Sequence, residues 1–197
     1  MTNGRKMGSK FENPVDNLFI NVFNLFDKYL YKLNFTPNIL TFISLIVSLI
    51  GVYYIYNKNY KIGAILLLIG YFFDCCDGNF ARKYNMVTKN GDYFDHISDI
   101  LKIILLYIVI YYSNLKKNNK ILFYIVNVIF ILLFNIHMGC QECIYNKDLT
   151  KSSTLEFTKN LCPGIQYIHY TKYVGCGTFF LVLCIYLYNM KYINTLL

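Results

Sequence analysis

The chain reads as an all-α integral membrane protein. An interfacial amphipathic helix leads into a bundle of five transmembrane helices, or six if a polar stretch near the C-terminus also enters the membrane. Three observations predict this. Of 197 residues, 56% are hydrophobic and only 15% charged, too few polar groups to cover a soluble globule of one domain. Apolar runs recur at about 38–56, 62–80, 94–112, 121–140 and 173–189, each near the ~20 residues that a bilayer requires. Short polar loops (NKNYK, RKYNMVTKN, NLKKNNK) separate them, followed by a long polar stretch over 144–172.

The first element is predicted over 13–33. Asn13 can cap a helix there and Pro14 suits its first turn. Val15, Leu18, Phe19, Val22, Phe26, Tyr29, Leu30 and Leu33 recur at helical spacing, with Asp16, Asn17, Asn21, Asn24, Asp27, Lys28 and Lys32 on the other side. A soluble core helix has the same pattern, but no other soluble segment exists to cover this one. It is therefore expected to lie in the membrane interface. Pro37 ends it and turns the chain into the first span. The whole chain, 1–197, then forms one membrane domain: the interfacial helix, the helices of 38–112, and the C-terminal helices of 121–197. Residues 144–172 are too polar to cross lipid unaided, so they either lie at the interface or tuck into the bundle.

Charge sets the expected orientation. The net charge is +8, and most lysines and arginines fall in the N-terminal tail, the 81–90 loop and the 144–172 loop. Basic residues favour the cytoplasmic side, which places the N-terminus there. The lysines are scattered rather than striped, so no nucleic-acid partner is expected. The first ten residues are polar and the first apolar run is long, which argues against a cleavable signal peptide. The seven cysteines sit mostly within or beside apolar runs, where cysteine behaves as a small apolar residue, and they suggest no disulfide framework. Cys140, Cys143, Cys162 and His169 would make a zinc site only by converging. Small residues at a helix end are the simpler reading.

The segment DCCDGNFARKYNMVTKNGDYFDHISD, residues 74–99, sets four aspartates against two of the most apolar runs. Asp74 and Asp77 are three apart at the end of the second span, and Asp95 and Asp99 four apart at the start of the third. Those spacings place each pair on one helical face. The short loop makes the two helices antiparallel neighbours, so both pairs can meet at one depth. One carboxylate in a membrane helix costs roughly 2.5–3.5 kcal/mol, and four also repel one another. Arg82, Lys83 and Lys102 are too few and scattered to neutralise them. A divalent cation would, and an all-oxygen set suits magnesium, manganese or calcium rather than zinc. Capping of helix ends in the headgroup layer could explain one or two aspartates, not two spaced pairs beside the small residues Gly78 and Ala81.

This segment resembles the signature of the CDP-alcohol phosphotransferases, membrane enzymes of phospholipid synthesis. Asp74, Asp77, Gly78, Ala81, Arg82, Gly91, Asp95 and Asp99 fill each fixed place of D-x-x-D-G-x-x-A-R, eight residues, G, three residues, D, three residues, D. The PNILT at 37–41 also looks like that family's first span. The resemblance covers about 35–112 well and the C-terminal half poorly, and the family usually has six transmembrane helices. It implies that Asp74, Asp77 and Asp95 hold Mg2+ or Mn2+, with Asp99 near a second ion and acting as general base. It implies further that Gly78, Ala81, Arg82 and Thr88 border the cytidine diphosphate moiety. The implied reaction passes a substituted phosphate group from a CDP-linked donor to an alcohol acceptor, and CMP leaves.

One of the two substrates would be a lipid. Either CDP-diacylglycerol donates to a small polar alcohol, or CDP-choline or CDP-ethanolamine donates to diacylglycerol. GDYFDHISD looks like the second branch, whereas the short chain looks like the first. Lys102, one turn beyond Asp99, could bind an acceptor phosphate or pair with a carboxylate. His96 points about 100° away from Asp95 on a helix and is expected to face headgroups. A divalent-cation transporter or channel is the alternative from another class. It calls for acidic residues along a path across the membrane, and the first, fourth and fifth spans have essentially none in their apolar cores. The expected protein is thus a multi-pass enzyme with its site on the cytoplasmic side, surrounded by membrane lipid, with a homodimer left open.

Overall fold

A computed structural model describes residues 4–144 and 156–196. Every regular element among them is helical. The polar residues 145–155, part of the stretch expected to skirt or enter the bundle, lie outside the described residues.

The chain begins with α1 (Pro14–Phe23) and α2 (Asp27–Lys32). Asn13 caps α1 as expected, its Oδ1 accepting from the Val15 amide at 2.9 Å. The single helix expected over 13–33 is, however, two. The break at residues 24–26 lets Asn24 and Asp27 both reach Lys83, which hydrogen-bonds Asn24 Oδ1 at 3.0 Å and pairs with buried Asp27. The same turn brings Phe23 and Phe26 together against Phe72. Tertiary pairing here outweighs helical continuity.

Thr36 and Pro37 open α3 (Pro37–Tyr56), the Thr36 hydroxyl accepting from the Ile39 amide. Two long antiparallel helices follow, α4 (Tyr60–Lys83) and α5 (Lys89–Tyr112). Helices α3 and α4 approach closely because their facing positions are small. A Cβ on Gly63 would lie 2.8 Å from the Gly51 carbonyl oxygen, closer than real side chains come. Helix α6 (Lys117–Ile144) returns across the bundle. Short turns at Glu156–Leu161, Ile165–Tyr167 and Lys172–Val174, with α7 (Ile168–Thr171) among them, lead into α8 (Cys176–Tyr188). Helix α9 (Met190–Leu196) folds back so that Asn194 accepts from Asn119 Nδ2 at 2.7 Å and from the Lys116 amide at 2.9 Å.

Four stretches are long and apolar enough to cross a membrane: Pro37–Tyr56, Tyr60–Lys83, Lys117–Ile144 and Ile165–Tyr188. The last begins earlier than the expected 173, because α8 alone is 13 residues, about 20 Å, and falls short of the hydrocarbon thickness. Helix α5 is as long as α4, but its first half carries Asp92, Asp95, Asp99 and Lys102. The architecture is that of an all-α membrane protein.

Its interior divides by depth. At one end Val52, Ile55, Leu67, Leu106, Ile110, Phe123, Leu183 and Leu187 form an apolar core shared by α3, α4, α5, α6 and α8. At the other, Phe23, Leu40, Cys76 and Phe80 pack together where α1 meets α3 and α4. Asp16 ties α1 down, accepting from the Tyr71 hydroxyl at 2.6 Å and from the Gly177 amide at the start of α8. A disulfide joins Cys140 at the end of α6 to Cys162. That corrects the expectation that the cysteines form no framework, and it removes two members of the zinc set considered from sequence. Cys143 remains a free thiol near the Lys159 carbonyl, and His169 packs edge-on against Phe11.

Candidate active site

The connection from Tyr84 to Thr88 reverses the chain between α4 and α5, with Asn85 in the left-handed region (φ 56°) that asparagine tolerates. The last turns of α4 therefore lie beside the first turns of α5. Asp74, Asp95 and Asp99 converge there, each offering a carboxylate oxygen within 4.8 Å of the other two. Asp95 Oδ1 is buried and has no hydrogen-bond partner among the described residues. An orphaned anionic oxygen facing two further carboxylates is the environment a hard divalent cation completes.

Asp77 belongs to the same end but not to that group of three. It is 5% exposed and accepts from the Thr41 hydroxyl, while Ser44 donates to Asp74 Oδ1 at 3.1 Å. The two contacts share a logic. Thr41 and Ser44 are three apart on α3, Asp74 and Asp77 three apart on α4, so one helical face meets the other in register. Sequence reading passed over both hydroxyls. Their signal was present: Thr41, Ser44 and Ser48 recur at helical spacing in an otherwise apolar span.

Of the two roles expected for Lys102, the structure shows carboxylate pairing: it lies among the aspartates. Its Nζ is 2.6 Å from Asp74 Oδ1, 2.7 Å from Asp99 Oδ1 and 3.1 Å from Ser44 Oγ. His96 turns away, its Nδ1 contacting the Asp92 carbonyl oxygen at 2.7 Å, and it stands 4.0 Å from Asp95 Oδ2.

Asp74, Gly78 and Arg82 follow one another at four-residue intervals, so they line one stripe of α4 toward its C-terminal end. The Arg82 guanidinium folds over Gly78, where a Cβ would lie 3.2 Å from Nη1, and its Nε donates to the Gly4 carbonyl at 2.8 Å. Ala81 is buried in the adjacent stripe. Thr88 is exposed and caps α5, its Oγ1 accepting from the Gly91 amide at 3.0 Å. Thus three of the four aspartates meet and Asp77 is held next to them. Arg82 and Gly78 continue their surface, and Thr88 marks the opposite rim.

This end is also closed by charge pairs from the N-terminal segment. Arg5 pairs with Glu12, and Lys6 with Glu142 at the end of α6. Burial lowers the Lys6 ammonium from its usual range, and Glu142 acts in the opposite direction. Chemically, the site offers negative oxygens for a cation, a guanidinium for phosphate oxygens and a carboxylate open enough to reach substrate.

Residues 34–196 match the CDP-alcohol phosphatidyltransferase family. The chain is 38% identical over 74 residues to an archaetidylinositol phosphate synthase of Pyrococcus horikoshii, covering 38% of this chain and 39% of that one. It is 42% identical over 86 residues to a CDP-diacylglycerol–glycerol-3-phosphate 3-phosphatidyltransferase of Rickettsia felis, covering 42% and 45%. An Aquifex aeolicus enzyme of the latter name is 31% identical over 91 residues, covering 45% and 50%. The chain thus spans half or less of the length of these relatives. No solved structure gives a significant match. Because the family match takes in α3 to α9, with the aspartates of α4 and α5 inside it, the chain belongs to the CDP-alcohol phosphatidyltransferase family.

Proposed function

We propose that this protein makes a phospholipid by transferring a phosphatidyl-type group from a CDP-linked lipid to a small polar alcohol, releasing CMP. The observation that carries the reading is the convergence of Asp74, Asp95 and Asp99 at the junction of α4 and α5. The choice of a lipid donor is supported by the relatives' names, which specify a CDP-diacylglycerol donor in one case and an archaetidylinositol phosphate product in the other.

Asp74, Asp95 and Asp99 would hold Mg2+ or Mn2+, with Asp77 alongside, since the donors are all oxygen and Asp95 Oδ1 lacks a partner. Bound there, such an ion would supply the positive charge that a diphosphate needs. The protein's own groups do the rest. Arg82 presents its guanidinium fork to the diphosphate oxygens, exchanging its contact with the Gly4 carbonyl for them. Gly78 and Ala81 leave room for the nucleotide to approach α4, and Thr88 borders it from the start of α5. Asp99 takes the proton from the acceptor hydroxyl as that oxygen bonds to the β-phosphorus. The bond from the β-phosphorus to the bridging oxygen breaks, and CMP departs with its electron pair. Positioning and charge stabilisation dominate phosphoryl-type transfers, and the site is built from groups that provide both.

The direct test is to incubate purified protein with CDP-diacylglycerol and a panel of alcohols, including glycerol 3-phosphate and inositol phosphate, and to follow CMP. Turnover that needs Mg2+ or Mn2+ and stops in excess chelator is expected. Turnover only with CDP-choline or CDP-ethanolamine and diacylglycerol would move the protein to the other branch, and robust turnover in chelator would overturn the metal reading. Among the described residues the acidic groups that face the bundle lie at one end of it, which argues against a path for cations across it.

The basic residues of the N-terminal tail and of the α4–α5 connection favour the cytoplasmic side for the site. The Cys140–Cys162 pair stands at the same end. A reducing cytosol would keep both thiols free. Alkylation of protein quenched in intact cells therefore checks the sidedness: modified thiols would support the cytoplasmic side, and persistence of the Cys140–Cys162 bond seen in the structure would put this end in an oxidising compartment.

A further inference from the structure

Lys102 is 5% exposed and sits one turn deeper than Asp99 on α5. A lysine ammonium has three protons to donate. Three oxygens surround this one: Asp74 Oδ1 from α4, Asp99 Oδ1 from its own helix and Ser44 Oγ from α3. Ser44 in turn donates to Asp74, so the arrangement closes on itself. A lysine that received an acceptor's phosphate would keep a donor directed toward the substrate. Lys102 instead hydrogen-bonds Ser44 and Asp74 and faces Asp99 as an ion pair, so its ammonium is taken up by the cluster. Asp95 is the member it does not touch; Asp95 Oδ1 has neither an ion pair with Lys102 nor a hydrogen-bond partner among the described residues, whereas Asp99 Oδ1, also without a hydrogen bond, is at least ion-paired to it. The ammonium thus neutralises two of the three convergent carboxylates and leaves the third bare.

We propose that Lys102 is a positioning residue, a tethered cation that holds Asp74 and Asp99 together when no divalent ion is bound. It shares those oxygens with the incoming ion and so weakens the ion's affinity. The cluster stays assembled while empty, and the ion binds only as tightly as its competition with the ammonium allows. This rests on the reading of Asp74, Asp95 and Asp99 as the ion's ligands. It differs from a packing role in what it predicts. A lysine that only filled space would, on removal, lower stability equally with and without the ion, and would leave ion affinity where it was.

The test uses full-length protein in detergent, Mn2+ as the probe, electron paramagnetic resonance to count free Mn2+, and melting temperature in chelator and in excess Mn2+. Lys102→Met keeps length and apolar volume while removing the charge. It should bind Mn2+ at least about tenfold more tightly than wild type, because a like charge has left the ligand oxygens. In chelator it should melt below wild type, since the carboxylates then face one another unscreened, and saturating Mn2+ should close that gap. Unchanged Mn2+ affinity, or an equal melting deficit in both conditions, overturns the proposal. Lys102→Gln should behave in the same way. Failure of both variants to fold even in Mn2+ would also overturn it, since the ion is expected to restore the cluster. Wild-type protein that binds no Mn2+ would be a different failure, of the ligand reading itself, and would remove this proposal with it.

Discussion

The two ends of the bundle are held together by opposite means. Away from the carboxylates, Ile55, Leu67, Ile110, Phe123, Leu183 and Leu187 meet with almost no accessible surface, and the polar groups there are few. At the carboxylate end the contacts are ionic: Lys6 with Glu142, Lys83 with Asp27, Lys102 with Asp74 and Asp99, Arg5 with Glu12. Packing of the first kind stabilises without specifying any chemistry. The second kind is a poor route to stability, because desolvation offsets most of the Coulombic gain. A protein that concentrates charge at one end and keeps an apolar core at the other is separating what holds it folded from what it does.

The largest expected effects divide along that line. Asp99→Asn should lower turnover by about 10²–10⁴-fold or more, the range for loss of a general base, with a much smaller effect on stability than on kcat. Leu183→Ala, in the opposite core, should cost about 2–5 kcal/mol of stability and leave the kcat of the folded fraction almost unchanged. Near-normal turnover in Asp99→Asn would end its assignment as the base. A large kcat loss in Leu183→Ala would show that the two ends are not separable.

Arg82→Lys should come next, raising the donor KM by about tenfold. A guanidinium offers a planar fork of donors to phosphate oxygens, whereas an ammonium offers a point charge. If Arg82 only anchored topology as a basic residue, lysine would replace it freely and the KM would not move.

How much of this was legible in the sequence follows the same division. The aspartates of α4 and α5 were readable because their spacings of three and four match the helical period, and the apolar runs gave α3 to α6 nearly as found. What escaped were contacts between elements. Nothing in the local sequence says that Asn24 and Asp27 will both turn toward Lys83 and break a helix that periodicity predicts as continuous. The donors Thr41 and Ser44 are visible only once α3 and α4 are packed in register. Lys102 lay at the correct spacing, yet whether it would face the carboxylates or a substrate depends on the position of α3. The Cys140–Cys162 bond joins residues across a turn that hydropathy does not specify.

A smaller effect concerns Asp16, which sits outside the spans at the seam between α1, α4 and α8. Burial raises its carboxyl from 3.8 to about 7, although the Tyr71 hydroxyl and the Gly177 amide favour the charged form. The folded state therefore holds a proton that the unfolded state has released, throughout the interval between those values. Stability should fall as pH rises through that interval and level off above it. Melting of wild type against Asp16→Asn checks this: the difference should grow in favour of the variant from about pH 5 to about pH 8. A constant difference would mean that Asp16 is ionised in the folded protein at all of these pH values.

The smallest expected effect tests where the ionic end meets the lipid. In α1 and α2, Ile20, Phe23 and Asp27 face the protein, and Phe26 packs on Phe72, so that only part of the apolar stripe remains outward. Leu18, Val22, Tyr29 and Leu33 make up that part, between 43% and 69% exposed. A lipid-linked substrate has to reach the aspartates from the leaflet with its acyl chains still in the membrane. A helix in the interface plane beside α4 would form the wall it passes. Aspartate at Leu18 or Val22 should loosen α1 from the bilayer without touching its packing on Phe80 and Tyr71. The apparent KM for the CDP-lipid should then rise a few-fold, while the KM for the water-soluble alcohol stays close to wild type. Labelling of single cysteines placed along 14–33 provides the control: reactivity should follow a period of about 3.6 within each helix and lose phase across residues 24–26. Equal shifts in both KM values would mean that the substitution had disturbed the site itself, and α1 would then be a strut for α4 rather than a wall of the lipid's path.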